Sequence, residues 1–163
     1  EVASAAGLGV GTLYRRFGDR AGLVYALLDE REREFQTDFL TGPPPLGPGA
    51  PPLERLEAFF LRYLEYLENH TDILLVADTS SPGSRYAAGA YGAHRLHVAL
   101  LIRQIDPAAN TEYLADALLS LLDADLFAYQ RRTLGLSLRQ LSVGALDLIR
   151  RSLGRPSKGR GSE

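Results

Sequence analysis

Ala6-Gly7-Leu8-Gly9-Val10-Gly11-Thr12-Leu13-Tyr14-Arg15-Arg16-Phe17-Gly18-Asp19-Arg20 is the stretch on which the fold of this chain turns. Small residues from Val2 to Ala6 suit a helix, and Gly7 ends it. A tight turn follows, and a second helix starts near Val10. That second helix carries Thr12, Tyr14, Arg15 and Arg16 and no acidic residue. Hydroxyls and arginines are the groups that reach phosphates and base edges from a helix in a major groove. The pattern therefore predicts a helix-turn-helix.

At fixed spacing, Val2-Ala3, Ala6-Gly7-Leu8, Gly11-Thr12-Leu13-Tyr14, Phe17, Arg20 and Leu23 match one signature. The run resembles the DNA-reading half of the TetR (tetracycline-repressor) family of transcription regulators. The resemblance is motif-level over about the first forty residues and architectural beyond them. It implies that Thr12 and Tyr14 touch phosphate or base edges and that Arg20 binds phosphate. It also implies that Val10, Gly11, Arg15 and Arg16 face the groove, while Leu13 and Phe17 pack the small domain. Two positions depart from the pattern. Gly9 stands where the family has serine, which weakens the helix N-cap. Arg20 replaces the common lysine, keeping the charge but adding a fork. The numbering begins inside the motif, so the family's first helix is expected to be absent here.

Composition is that of a globular protein, with no cysteine and a formal net charge of −2. The lack of cysteine excludes disulfides, a thiol nucleophile and thiolate metal sites. Slight acidity excludes a chain that is basic all over, yet a local basic face suffices for DNA. From Val2 to Leu28 the charges are Arg15, Arg16 and Arg20 against Asp19, and the acids follow at Asp29, Glu30, Glu32 and Glu34. No apolar run approaches a membrane span, so a cytoplasmic protein with no membrane partner is expected.

Helical periodicity runs through the chain, and the expected class is all-α. The helix-turn-helix region and a connecting helix are expected over residues 1–40. That connecting helix would use Leu23, Leu27, Phe35 and Phe39 as its apolar positions, with Arg31, Arg33, Glu30, Glu32 and Glu34 solvated. Residues 41–52, rich in proline and glycine, cannot continue a helix and read as a linker. Residues 53–153 are expected to form a helical ligand-binding and dimerisation domain, followed by a disordered tail over 154–163.

Within that domain, Pro52 suits a first helical turn. Asn69–Asp72 is read as a break before a short helix, and a further helix is expected from Ser84 to Ile105, stopped by Asp106-Pro107. Asn110 is read as the cap of one long helix reaching Leu134 and ended by Gly135. Ser137 and Gln140 form a capping-box pattern for the last helix.

The aromatic and imidazole residues after the linker raise the question of a small-molecule site, which the resemblance places between the helices of this domain. Phe60, Tyr63, Leu67, Tyr91, His94 and Phe127 are the candidate lining residues. Most aromatics at helical spacing are simply core, and that reading stands beside the pocket for each of them. His94 and His97 are spaced to share a helix face, but no third ligand stands at fixed spacing, so no metal is assigned. No nucleophile elbow or phosphate loop is recognisable, so no catalytic residue, enzyme activity or cofactor is implied. An all-α enzyme with His94 or His97 as base is the weaker competitor.

The resemblance implies a repressor that binds a palindromic double-stranded DNA operator as a homodimer and is released by a small-molecule effector. The dimer would form through the helices near 110–134 and 138–153. The alternative is a dimeric small-molecule-binding scaffold that has lost DNA binding, which Gly9 and Val10 motivate.

Overall fold

The computed structural model describes residues 20–80, 83, 86 and 89–153, with side chains described from residue 29 onward except over 77–80. The turn and recognition helix expected over residues 6–17 lie outside the described residues, as does the tail. Everything regular among the described residues is helical, and no strand occurs. The described residues form six α-helices: α1 (Arg20–Thr41), α2 (Pro52–Ser80), α3 (Gly89–Ile105), α4 (Thr111–Leu119), α5 (Ala124–Ala128) and α6 (Leu138–Leu153). A 3₁₀ turn, Ser120–Leu122, joins α4 to α5, and a π turn, Tyr129–Thr133, extends α5.

α2 is the central element. α1, α3, α5 and α6 all pack on it, and α4 packs on α3. Its Leu56, Phe59, Phe60, Leu64 and Leu67 recur at spacings of three and four and are fully buried. They meet Phe35 and Phe39 of α1, Val98, Leu101 and Ile102 of α3, and Ile149 and Leu153 of α6 in one core.

α2 runs unbroken for 29 residues, through the expected break at Asn69–Asp72. The polar side chains there bond back onto the previous turn instead of competing with the helix. Asn69 Nδ2 donates to the Glu65 carbonyl, His70 Nδ1 to that of Tyr66, and Thr71 Oγ1 to that of Leu67. Arg131 and Arg132 also reach Glu68 and Asp72 from the π turn and hold the same segment.

The expected long helix from Asn110 to Leu134 is broken. Asn110 does cap α4, accepting from the Tyr113 amide. At Asp123, however, the backbone is extended (φ −75°, ψ 134°), and its carboxylate accepts from the amides of Asp125 and Leu126. A second N-cap therefore sits inside the apolar run, and the chain restarts as α5. The break turns Leu122, Ala124 and Phe127 into the core.

Other boundaries fall as expected. Pro52 opens α2, α3 stops at Ile105 before Asp106-Pro107, and Gly135 has φ +68°. Gln140 Oε1 accepts from the Ser137 amide at 2.8 Å while Ser137 Oγ accepts from the Gln140 amide at 3.2 Å, which completes the capping box.

The proline-rich segment after α1 is a compact turn. The Gly42 amide donates to the Thr37 and Asp38 carbonyls, and a Cβ there would lie 2.5 Å from the Asp38 oxygen, so only glycine fits. The Gly47 amide returns to the Pro43 carbonyl, and the Pro44–Pro45 peptide is cis. This turn brings α1 back along α2.

Candidate functional site

The seam between α1, α2 and α3 contains the densest chemistry in the described residues. Phe35 and Phe39 come from α1, Phe59 and Tyr63 from α2, and His94 and His97 from α3. Ring centroids lie 5.4 Å apart for Phe35–His94, 5.2 Å for Tyr63–His94, 4.4 Å for Phe39–His97 and 5.5 Å for Phe59–His97. The two His94 pairs are edge-on, the geometry that aromatic quadrupoles favour, and the two His97 pairs are tilted.

Into this seam α1 projects Glu32, whose side chain is only 14% exposed. Its Oε1 lies 2.7 Å from His94 Nε2. The approach is close but not aligned as a hydrogen bond, so Nε2 is a buried polar atom facing a carboxylate. His97 Nε2 is also buried and makes no hydrogen bond. Burial pushes the His97 imidazole down to about 4, and the neighbouring Arg55 and His94 add to the shift. Arg55 of α2 donates through an Nη to the Phe39 carbonyl at 3.2 Å, which satisfies a carbonyl in the last turn of α1.

The expectation that Glu32 is solvated is corrected here. Glu32, Phe35 and Phe39 stand at spacings of three and four, so they share the stripe of α1 that meets the body. The run of alternating charges around it, Glu30-Arg31-Glu32-Arg33-Glu34, masked that periodicity.

A second site lies between α3 and α4. Tyr86, Tyr91, Arg95, Asp116 and Ser120 line an open cleft of about 420 Å³. Tyr91 Oη donates to Asp116 Oδ1 at 2.8 Å, and Arg95 Nε donates to the same oxygen at 2.8 Å. Arg95 also reaches Glu112 at 2.7 Å. Hydrogen bonding from Arg95 holds the Asp116 carboxyl below its ordinary range; burial opposes this, and a smaller contribution from the Tyr91 hydrogen bond adds to the lowering. The Tyr86 and Tyr91 rings stand at 84° with centroids 5.0 Å apart. Aromatic faces beside a fixed carboxylate and guanidinium suit a small ligand with both planar and polar parts.

Of the candidate lining residues, Tyr63 and His94 are brought together in the seam, whereas Tyr91 faces the α3–α4 cleft. Phe60, Leu67 and Phe127 are buried members of the core. Arg95, Asp116 and Glu32 escaped the sequence reading because charged residues on amphipathic helices are usually solvated, and only packing reveals their partners. Among the DNA-binding candidates, Val10, Gly11, Thr12, Tyr14, Arg15 and Arg16 lie outside the described residues, and Arg20 opens α1. Among the described residues no three His, Cys, Asp or Glu side chains are grouped to hold a metal, and no helix is long and apolar enough to cross a membrane.

Comparison with protein-family models, with curated proteins and with solved structures returns no match for this chain.

Proposed function

We propose that this protein is a TetR-like transcriptional regulator that binds a palindromic operator as a homodimer and is released by a small molecule. The reading rests on one observation, the run from Ala6 to Leu23 with its Gly11-Thr12-Leu13-Tyr14, Phe17 and Arg20 in register. The helical body is compatible with the roles the proposal requires. α1 begins at Arg20, within the last positions of the motif, and carries Phe35 and Phe39 into the core near its other end. A shift of the body would therefore reach the recognition helix through one rigid element. The α3–α4 cleft is the proposed effector site.

Dimerisation through the last helices draws support from their surfaces. α6 buries Leu141, Ile149 and Leu153 but leaves Val143 62% and Leu148 43% exposed. Leu126, Tyr129 and Leu134 are exposed on the preceding segment. Pairing two copies would cover these side chains and set two recognition helices one helical turn of DNA apart, about 34 Å.

The mechanism is a two-state coupling in which the effector prefers the spacing that does not fit the operator. Strong switching requires a preference of about 5 kcal/mol between the states. Affinity selection of genomic DNA fragments by the full-length dimeric protein tests the reading. Enrichment of a palindromic site is the expected result. A folded, dimeric protein that enriches nothing would transfer the assignment to a ligand-binding scaffold.

A further inference from the structure

The buried imidazole of His97 has no place in the proposed mechanism, and its setting gives it a role. Phe39 of α1 and Phe59 of α2 both pack against the ring, at 4.4 Å and 5.5 Å between centroids, and against each other at 5.5 Å. Its Nε2 meets no hydrogen-bond partner. The charged or titratable groups around it are Arg55 on α2, His94 on its own helix and, beyond His94, Glu32 on α1. The two nearest, Arg55 and His94, oppose a further positive charge. Phe39 is contributed by α1 alone, so lifting the end of α1 removes one wall of the enclosure.

We propose that His97 makes the seating of α1 on the helical body proton-dependent, so that mild acid favours a form in which α1 has lifted from α2 and α3. The reason is linkage. A neutral imidazole packs comfortably against two phenyl rings, whereas an imidazolium there would be a desolvated charge whose Nε2 has no hydrogen-bond partner. In the lifted form water reaches the ring, and it accepts a proton near its ordinary value of 6.5. In the seated form burial holds it down to about 4. Seating is therefore fully favoured above about pH 6.5, weakens as pH falls through the interval between those values, and loses nothing further below it. Glu32 and His94 meet beside this enclosure, and the His94→Gln variant separates their contact from the effect of His97. The proposal does not depend on whether the chain binds DNA.

The test is native-state hydrogen exchange of α1 amides near Phe35 and Phe39, corrected for intrinsic exchange rates. From about pH 7.5 to about pH 5 the opening equilibrium of α1 should rise about thirtyfold relative to the core of α2, the ratio the two imidazole values give. The rise should vanish in His97→Gln and persist in His94→Gln. Equal protection at both pH values, or an undiminished rise in His97→Gln, overturns the proposal. An NMR titration of the wild-type imidazoles needs no variant. A His97 ring that titrates near 6.5 with α1 seated overturns the proposal equally, and a midpoint well below that supports it.

Discussion

Glu32 of α1 and His94 of α3 face each other at 2.7 Å in a seam otherwise walled by Phe35, Phe59 and Tyr63. Removing Glu32 leaves His94 Nε2 buried with no carboxylate facing it, and removing His94 leaves the Glu32 carboxylate with only its bond from Gln36 Nε2 at 2.9 Å. Glu32→Ala and His94→Ala should each lower the unfolding free energy by about 1–3 kcal/mol in urea titrations. Because the groups touch, the double variant should lose less than the sum of the single losses, by about 0.5 kcal/mol or more. Strict additivity would mean that the contact carries no energy.

Phe39 closes the same seam from the end of α1. Phe39→Ala removes a fully buried ring that contacts Phe35, Phe59 and both α3 imidazoles, so a loss of about 3–5 kcal/mol is expected in equilibrium unfolding. The adjacent Leu40 is 56% exposed, and Leu40→Ala should stay within about 0.5 kcal/mol of wild type. The contrast checks the rotational setting of α1, since a helix turned by one residue would exchange the two outcomes.

The start of α6 depends on a reciprocal cap. Ser137→Ala removes the acceptor of the Gln140 amide and should cost about 0.5–2 kcal/mol, measured by thermal unfolding. Gln140→Ala should cost less, because the Ser137 amide it bonds is exposed and can turn to water. A neutral Ser137→Ala would show that α6 is held by its core side chains alone.

In the α3–α4 cleft, Asp116 owes its lowered pKa first to Arg95. Its ion pair therefore contributes above the ordinary carboxylate value and is lost as pH falls through the lower, folded one. Arg95→Met should move the Asp116 titration midpoint up toward the ordinary range in NMR. Tyr91→Phe should move it in the same direction by less. An unchanged midpoint in Arg95→Met would assign the shift to another group.

For DNA binding, Arg20→Ala should weaken binding to all duplexes alike and flatten the salt dependence by about one phosphate contact. Arg15→Ala and Arg16→Ala should cost about 1–3 kcal/mol on the selected operator where they read bases, and less on unrelated DNA. Competition binding at fixed salt separates the two behaviours. Uniform losses for all three would leave base readout to other residues.

The limits of local pattern are plain in particular elements. Ser137 and Gln140 declared their cap because the bonds join residues three apart. Pro52, Asp106-Pro107 and Gly135 marked boundaries for similar reasons of backbone chemistry. Asn69 to Asp72 misled, because the same polar side chains that favour turns can bond back within a helix when neighbouring elements hold it. Asp123 went unread because a capping carboxylate inside an apolar run looks like one polar position on a long helix.

The sequence by itself determined the all-α class, most helix boundaries and the apolar stripe of α2, because each depends on residues within a few positions of one another. It also carries the run from Ala6 to Leu23 on which the functional proposal rests. Only the tertiary structure decided that Glu32 turns inward to His94, that His97 is closed off by Phe39, and that Tyr91, Arg95 and Asp116 share one cleft. Those relationships join residues about 20 to 60 positions apart in the chain. A side chain's own helix sets the direction in which it points, but its charge state and partner belong to whatever surface folding brings against it.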